Sequence, residues 1–384
     1  MKKILCSLFF VLCSLSLFAA PRLVYNGDTL EWNNSWQKKQ CGTLDIEKNI
    51  IEVSGIACSR VTPGYIWMQS DETVKYIIAT DEKGAERACK AKLPKTIRWD
   101  WEDMSGGVYE GVNYLFIGAF GDNEETDGNY SVIYFEEPAI DPVNMPEVTV
   151  NPGNIKFQYP DGKKHNCEAL MYDNLTQTIF IITKVYYNVC QVFSMPFRLD
   201  YGDEMQTLTY ICDLGVRSDL GYSEKNHPYK GFHLVTGADI SPDGKHILIK
   251  NHNNIVASYS WILYWERKDG ETVAEALQRQ PQPLKCYTYE WQGEAICWLD
   301  SYVFYTTSDA DDGNPPIYIY RRPYPEGIEN TSVSGDKGRL VMIDNTLYIR
   351  GKDGLFTLDG RMVRLTKKSV LVTLFLIFTC ICRK

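Results

Sequence analysis

Short apolar runs recur along most of this 384-residue chain, separated by clusters of Gly, Pro, Asn and Asp. Examples are "YIWMQS", "YLFIGAF", "TIFIIT", "HILIKN" and "YVFYTTS". Runs of this length, rich in β-branched and aromatic residues and bounded by turn residues, are typical of strands. Helical periodicity is confined to residues 270–280, "GETVAEALQRQ", which predict one short surface helix. The pattern indicates an all-β protein, built as a sandwich, a barrel or a propeller.

Internal repetition favours the propeller. Five segments start with a small or acidic residue, turn apolar, and are followed by a turn and a second apolar strand. They are "SGIACSR" from Ser54, "WEDMSGG" from Trp101, "CEALMYD" from Cys167, "GADISPDGK" from Gly237 and "GEAICWLD" from Gly293. The unit recurs about every 45 to 70 residues, as a four-stranded propeller blade with variable loops would.

The repeats predict five blades and leave the closure of the ring open. A sixth blade would have to lie within residues 21–50 or in the C-terminal region. Alternatively, the N-terminal strand completes the last blade of a five-bladed ring.

The two ends of the chain differ from the propeller region, residues 21–325. Residues 1–20 combine Lys2 and Lys3 with an apolar run and two closing alanines, which predicts a secretory signal peptide. We therefore expect an exported protein that is periplasmic, outer-membrane-associated or extracellular. Residues 326–366 predict a C-terminal β-hairpin tail with tight Asp-Asn and Asp-Gly turns.

Residues 367–384 form an apolar C-terminal extension flanked by basic residues. As a helix, its apolar part would span roughly 21 Å, which is short of a hydrocarbon core of about 30 Å. A marginal membrane anchor, a processed tail and an unselected extension remain the alternatives for this segment.

Charge and cysteine content narrow the function classes. The formal net charge is −9 and no basic run occurs, which argues against nucleic acid as a partner and favours cations or neutral ligands. The absence of a CxxC pair argues against a zinc ribbon or a thioredoxin-like site. Cys190 and Cys212 lie on successive strand-like runs and are the best disulfide candidates, with buried thiols as the alternative.

Acidic residues recur at the start of the innermost strand of four repeats: Glu102, Glu168, Asp239 and Glu294. Because inner strands of a propeller converge on a central channel, these side chains are expected to rim one funnel. Carboxylates placed together repel one another unless a cation neutralises them, and Ca²⁺ prefers such oxygen ligands. Further candidates for the funnel are Asp71, Asp122, Asn123, Lys184, Asn251 and Asp309.

Three roles remain open for the recurring acids. They act as staples that accept backbone N–H groups of a neighbouring blade, bind a cation or polar ligand, or serve as general acids and bases. Asp103 takes the place that Ala169 and Ala295 fill elsewhere, so we expect it to act locally. No HExxH, GxSxG, Walker-type or GxGxxG motif occurs, and no catalytic residue is predicted.

The blocks "VSGIACSRVTPGYIWMQSDE", "DWEDM", "FIGAFGDNE", "NCEALMYD", "VTGADISPDGKHILIKN", "QGEAICW" and "FYTTSD" carry a family resemblance across residues 50–321. Together they resemble secreted bacterial β-propeller proteins loosely related to the phytase-like and gluconolactonase-like propellers, most without an assigned activity. In the resembled pattern an acid lies shortly before Gly-Asp-Asn, whereas "GAFGDN" has no acid there and Ala119 takes its place. The basic cluster that phytases use for phosphate is also missing. "LYIRGKDGLFTLDGRMV" is similar to C-terminal β-tails on exported proteins of Bacteroides-type bacteria.

These observations predict an exported propeller that binds a small molecule, a glycan or a protein at its funnel face, with calcium as the expected cofactor. One alternative is a calcium-assisted hydrolase of a phosphoester, lactone or glycan-derived substrate. The other is a purely structural cell-surface protein. The C-terminal apolar segment is compatible with membrane association.

Overall fold

The computed structural model describes most of the predicted propeller region. The described residues are 22–25, 28–47, 49–71, 75–94, 100–185, 189–218, 234–252, 260–284, 290, 292–309, 313–324, 339–343, 346–351, 354–357 and 362–363. The predicted signal peptide and the apolar extension at residues 367–384 lie outside these residues.

The chain up to Arg322 forms one compact unit, and residues from Pro323 onward form another. The first unit contains the strands β1 (Leu23–Tyr25), β2 (Asp28–Thr29), β3 (Gln37–Thr43), β4 (Val53–Cys58), β5 (Tyr65–Ser70), β6 (Tyr76–Asp81), β7 (Arg87–Lys92), β8 (Trp101–Tyr109), β9 (Val112–Ala119), β10 (Tyr130–Glu136), β11 (Glu147–Thr149), β12 (Gly153–Gln158), β13 (Cys167–Asp173), β14 (Thr178–Thr183), β15 (Cys190–Pro196), β16 (Gln206–Thr207), β17 (Thr209–Leu214), β18 (Val216–Ser218), β19 (Leu234–Ile240), β20 (His246–His252), β21 (Ser260–Glu266), β22 (Gln282–Leu284), β23 (Ile296–Asp300), β24 (Val303–Thr306) and β25 (Pro316–Arg321).

Five antiparallel sheets form the blades of a propeller. In order from the inside outward, blade 1 is β4–β5–β6–β7, blade 2 is β8–β9–β10–β12, and blade 3 is β13–β14–β15–β17. Blade 4 is β19–β20–β21–β22, and blade 5 is β23–β24–β25–β3. Blades 1 and 2 each gain a short parallel edge strand, β11 and β16. The innermost strands contact one another in the circular order β4, β8, β13, β19, β23 and back to β4.

The N-terminal strand closes the ring. β3 pairs antiparallel with β25, from Gln37 opposite Arg321 to Thr43 opposite Pro316, and thereby supplies the outer strand of blade 5. The first and last parts of the propeller chain therefore share one sheet. This confirms a five-bladed ring closed by the N-terminal strand, and no sixth blade is present in the described residues. Ahead of β3, β1 pairs with β18 and β2 in a small separate sheet.

Blades stack face to face, which explains why the strands are continuously apolar. Along β9, Leu115 and Ile117 enter the cluster shared with blade 1, whereas Tyr114 and Phe116 enter the cluster shared with blade 3. Phe116 stacks on Tyr172 of blade 3 with 4.6 Å between ring centroids. A strand covered on both faces loses the alternation of polar and apolar positions that a half-exposed strand shows.

The predicted helix is present and shorter than the sequence pattern indicated. α1 spans Val273–Leu277 and begins with a capping box, in which Thr272 and Glu275 each bond the other's backbone N–H. Val273, Ala276 and Leu277 are buried against the propeller, so the helix is partly embedded in the fold. No helix within the described residues is long and apolar enough to cross a membrane.

The second unit contains a four-stranded antiparallel sheet of its own. Its strands are β26 (Arg339–Ile343), β27 (Thr346–Gly351), β28 (Gly354–Thr357) and β29 (Met362–Val363), each paired with the next along the chain. These strands lie where the sequence predicts hairpins.

The disulfide predicted between Cys190 and Cys212 does not form. Cys190 lies opposite Leu214 and Cys212 lies opposite Val192, so the two residues are offset along neighbouring strands. Both side chains remain thiols and are buried in the core shared by blades 3 and 4. The alternative interpretation as small apolar core residues is therefore correct for this pair.

A buried ion cluster ties the closing strand to the ring. The Glu290 carboxylate contacts Lys250 Nζ of blade 4 and, at 2.5 Å, Lys38 Nζ of β3. Tyr320 Oη donates a third bond to it at 2.9 Å. Burial opposes ionisation of Glu290, but Lys250 and Lys38 outweigh burial and lower its pKa to about 2.

We expect Glu290→Gln to lower the free energy of unfolding by about 3–5 kcal/mol at pH 7, because it leaves Lys250 buried without its counter-charge. The folded pKa lies below the ordinary value of 4.5, so the wild-type contribution is present above about pH 4.5 and is lost as the pH falls towards 2. Urea unfolding at pH 7 and at pH 3 measures both effects.

Glu147→Gln is the matched control, because Glu147 pairs with Lys92 at the same 2.5 Å distance but both side chains are about half exposed. Its stability should stay close to that of the wild type. Equal losses in the two variants would contradict a stabilising role for the buried cluster.

Candidate functional site

In four of the five blades, a bulge at the start of the innermost strand displaces one or two residues from the ladder. The strand registers skip Ser54 in blade 1, Glu168 in blade 3 and Thr236 in blade 4, and skip Glu102 together with Asp103 in blade 2. In blade 5, Glu294 precedes Ala295, whose carbonyl accepts from Thr307 N–H. Bulges of this kind redirect a side chain while leaving the rest of the ladder intact.

The chain enters three of these strands through a strained residue. Glu52, Asp100 and Gln292 each lie two positions before the displaced residue, and their φ angles are +50°, +79° and +42°. Side chains with a Cβ disfavour this left-handed region by roughly 1–2 kcal/mol. Because the strain recurs at equivalent positions, the backbone path into the innermost strands is imposed by the ring.

Glu102, Glu168 and Glu294 converge as predicted, but Asp239 does not join them. Glu102 lies two residues before Met104, which is equivalent to Ala238 in blade 4, so the matching residue of blade 4 is Thr236. Asp239 lies three residues farther along the strand and deeper in the channel. The sequence alignment misplaced it because the repeat around Gly237 carries no acid at the displaced position.

Lys184 is the counter-charge of the three glutamates. Its Nζ lies 2.7 Å from Glu168 Oε2, and both side chains are buried. Burial alone would lower the pKa of Lys184, but Glu168, Glu294 and Glu102 together raise it, so the ammonium stays protonated. The prediction placed Lys184 in the funnel, and the structure brings it together with Glu168.

The other two glutamates resist ionisation. Burial raises the pKa of Glu102 well above its usual value, Glu168 adds to the rise, and Lys184 opposes it. Burial likewise raises the pKa of Glu294, with Lys184 opposing and Glu168, Asp309 and Asp71 reinforcing the rise. One ammonium is therefore insufficient to keep all the carboxyl groups around it ionised, and protonation of Glu102 and Glu294 is favoured.

Residues that follow the second strands surround the same funnel. Asp71, Lys184 and Asp309 lie just after β5, β14 and β24, and His252, the last residue of β20, occupies the matching place in blade 4. His252 is buried, and burial together with Lys184 and Lys250 lowers its pKa well below its usual value, so its ring is neutral. The place of His252 at the end of "HILIKNH" allows it to approach the funnel, although a lone histidine is more often at the surface, and the structure has it buried.

Two polar atoms at this end of blade 4 have no hydrogen-bond partner among the described residues. They are Asn251 Oδ1 and His252 Nδ1, both on buried side chains. The Asn251 amide group donates to Ile249 O at 3.1 Å. Buried polar atoms without partners are uncommon and mark places where a ligand or water completes the bonding.

Asp122 and Asn123 have structural partners. The Asp122 carboxylate accepts from the backbone N–H groups of Thr126, Asp127 and Gly128 and from Tyr130 Oη, which closes the loop on itself. Asn123 Oδ1 accepts from the Asn166 amide at 3.0 Å, and that amide also reaches Glu168 at 3.3 Å. Asp122 therefore stabilises its own loop, and Asn123 contacts Glu168 of the funnel indirectly, through Asn166.

Asp103 ties three blades together instead of acting locally. Its Oδ2 accepts from Leu170 N–H of blade 3 at 2.8 Å and from Ala238 N–H of blade 4 at 3.0 Å. Its Oδ1 accepts from its own neighbour, Met104 N–H, at 2.8 Å. Gly55, Ala169, Gly237 and Ala295 fill the equivalent level of the other blades, and their small size leaves the channel to this one carboxylate.

Asp239 makes a second staple below Asp103. Its Oδ2 accepts from Trp298 N–H of blade 5 at 2.8 Å, and its Oδ1 accepts from Ser105 Oγ of blade 2 at 3.1 Å. Burial raises its pKa to about 6, although Trp298 N–H and Arg60 favour the charged form. Among the four recurring acids, Asp239 thus acts as a staple, and Asp103, which was expected to act locally, does the same.

The predicted set of four acids fits a single calcium site only in part. Glu168 already contacts the Lys184 ammonium, and Asp239 is bonded at a different level of the channel. Glu102 and Glu294 remain as carboxylates that could take a cation. Among the described residues, no group of three or more His, Cys, Asp or Glu side chains is arranged to hold a metal ion.

Comparisons with known proteins add little beyond the fold. No protein-family model matches the chain, and no curated protein matches it. Among solved structures, the chain is similar to hydrazine synthase of Kuenenia stuttgartiensis, at 11% identity and a TM-score of 0.32, over 81% of this chain and 68% of that one. At this TM-score the likeness carries no information on function.

The ring of five inner strands defines the chain as a five-bladed β-propeller. No family model and no curated relative supports a relation to the phytase-like or gluconolactonase-like propellers, or to Bacteroides-type exported proteins.

Lys184→Met should make stability depend steeply on pH. Without the ammonium, Glu102 and Glu294 keep folded pKa values above their unfolded ones, so the variant loses stability as the pH rises above about 4.5. We expect a loss of about 3–5 kcal/mol at pH 8 and a clearly smaller one at pH 5, measured by urea unfolding.

Lys245→Met serves as the control, because Lys245 is exposed and lies 3.8 Å from Asp269. It should unfold like the wild type at both pH values. A Lys184→Met loss of the same size at pH 5 and pH 8 would show that Lys184 contributes packing and not charge.

Proposed function

We propose that this propeller binds a ligand through its funnel, by means of Glu102, Glu294 and Lys184. The observation that carries the proposal is the surplus of buried carboxylate around one ammonium. Burial raises the pKa of Asp103 and Asp239 as well, but these two residues serve the fold and accept N–H groups from other blades. Binding sites, in contrast, tolerate charge that the free protein neutralises poorly.

The charge balance indicates the chemistry of the ligand. Glu102 and Glu294 with their neighbours Asp71 and Asp309 favour a group that carries positive charge or donates several hydrogen bonds. Asn251 Oδ1 is an acceptor without a partner in the described chain, and it would take a further O–H or N–H donor. An amine, a guanidinium or a hydroxyl-rich sugar has these properties. A phosphoester would bring further negative charge to a site in which several carboxyl groups already surround one ammonium.

Calcium remains part of this proposal, with fewer protein ligands than the sequence analysis predicts. Glu102 and Glu294 would supply carboxylate oxygens, and further oxygens would come from the ligand or water. Binding of any cation would release protons from the two glutamates, because burial and mutual repulsion raise the pKa of both. Export, as the sequence predicts, would expose such a funnel to external solutes.

The test is a binding screen at pH 7.5 with three probe classes: calcium chloride, alkyl diamines and neutral oligosaccharides. We expect at least one class to raise the melting temperature of the wild-type protein. Glu294→Gln should weaken that binding at least about tenfold, since a charge-assisted hydrogen bond contributes more than about 1.4 kcal/mol.

Asp213→Asn is the control, because Asp213 is exposed on β17 and bonds Tyr210 Oη at 3.0 Å outside the funnel. This variant should bind like the wild type. If no probe class distinguishes the wild type from Glu294→Gln, the funnel is not the binding site for these ligands.

A further inference from the structure

Two buried cysteines face each other where blade 5 meets blade 1. Cys58 ends β4, the innermost strand of blade 1, and Cys297 lies in β23, the innermost strand of blade 5. Their sulfur atoms are 3.4 Å apart, although the residues are separated by 239 positions in the chain. Neither thiol takes part in the proposed ligand site.

Cys58 and Cys297 occupy the positions that correspond to Trp298 and Asp239, which are hydrogen-bonded to each other between blades 4 and 5. In blade 4, Asp239 follows Ala238 and accepts from Trp298 N–H of blade 5. Cys297 follows Ile296, which is equivalent to Ala238, and Cys58 is the blade 1 equivalent of Trp298. Burial raises the pKa of Cys297, while the backbone N–H of Cys58 lowers it, as expected for an N–H directed at the sulfur.

This interface is also the seam at which the ring closes. Blade 5 depends on β3, the strand that precedes blade 1 in sequence. Across this interface, Ser54 Oγ donates to Glu294 at 3.3 Å and Tyr305 Oη donates to Glu82 at 3.0 Å. A covalent bond between the inner strands would close the ring independently of β3.

The other described cysteines have different neighbours. Cys41 contacts Ile317 O at 3.3 Å, Cys89 contacts Met145 O at 3.7 Å, and Cys167 contacts Tyr159 Oη at 2.7 Å. Within the described part of the chain, Cys58 and Cys297 are the pair whose sulfurs touch. Proximity therefore selects this pair for oxidation.

We propose that Cys58 and Cys297 form a redox-dependent disulfide clasp that locks blade 1 to blade 5. In the reaction, one cysteine thiolate attacks a disulfide oxidant such as oxidised glutathione and releases one glutathione thiolate. The second cysteine, after losing its proton, attacks the mixed disulfide and releases the second glutathione. The two protein sulfurs are oxidised, the oxidant disulfide is reduced, and one S–S bond replaces another.

Such a bond constrains the unfolded chain over nearly the whole propeller, which is the case in which a cross-link stabilises most. Because both thiols are buried, we expect oxidation to be fast during refolding and slow in the folded protein.

The experiment refolds the full chain with oxidised or reduced glutathione and alkylates the remaining thiols. Peptides are then mapped by mass spectrometry without reduction. We expect a linked peptide pair containing Cys58 and Cys297 in the oxidised sample only. We also expect its melting temperature to exceed that of the reduced sample by roughly 5–10 °C.

Cys58→Ala and Cys297→Ala should abolish this difference in melting temperature, and Cys89→Ala should keep it. If either alanine variant fails to fold, the peptide map of the wild-type protein decides alone. The proposal is overturned if both cysteines are alkylated after oxidative refolding or if either is linked to a different cysteine. A linked pair without any rise in melting temperature would contradict its role as a clasp.

Discussion

Carboxylates buried at the axis of the ring are the constraint on which the rest of this structure depends. Five inner strands converge there, and any charge they carry must be paired, protonated or bonded to backbone. Asp103 and Asp239 meet the requirement with N–H groups of other blades. Glu102, Glu168 and Glu294 share one ammonium, which leaves their end of the channel polar and rich in carboxyl groups.

The same axis explains how the ring holds together. Asp103 joins blade 2 to blades 3 and 4, and Asp239 joins blade 4 to blades 5 and 2. The closing strand β3 depends on a different buried cluster, in which Glu290 holds Lys38 and Lys250. At the seam between blades 5 and 1, the Cys58–Cys297 pair stands where the neighbouring interface uses Asp239. Carboxylate staples on the innermost strands, a buried ion cluster at the closing strand and a pair of thiols at the seam thus serve different interfaces.

Much of the fold was predictable, because apolar runs repeated with turn signals between them. The repeats indicated five blades, and the option that the N-terminal strand closes the ring is confirmed. The exact role of individual acids was not predictable. Glu102 and Asp103 are neighbours, yet a bulge sends one to the funnel and the other across the channel. A bulge inserts a residue without a sequence signature, so an alignment by motif placed Asp239 beside Glu102 when Thr236 is its match.

Interactions between distant parts of the chain also could not be predicted from the sequence. Nothing in "YTYEWQGEA" marks Glu290 as the partner of Lys38, and nothing pairs Cys58 with Cys297. Such contacts depend on which blades become neighbours when the ring closes. Cys190 and Cys212 were preferred as a disulfide because they lie on successive strands. The two strands do pair, but the two cysteines are not opposite each other.

The most direct test of this account compares two adjacent residues with opposite roles. The free energies of unfolding of Glu102→Gln and Asp103→Asn should be measured by urea unfolding at pH 8. Glu102→Gln should be more stable than the wild type, because it removes a buried, poorly neutralised charge. Asp103→Asn should lose about 2–4 kcal/mol, because it weakens three hydrogen bonds between a carboxylate and backbone N–H groups. If Glu102→Gln is destabilised as much as Asp103→Asn, Glu102 is a staple and the ligand site proposed at the funnel is wrong.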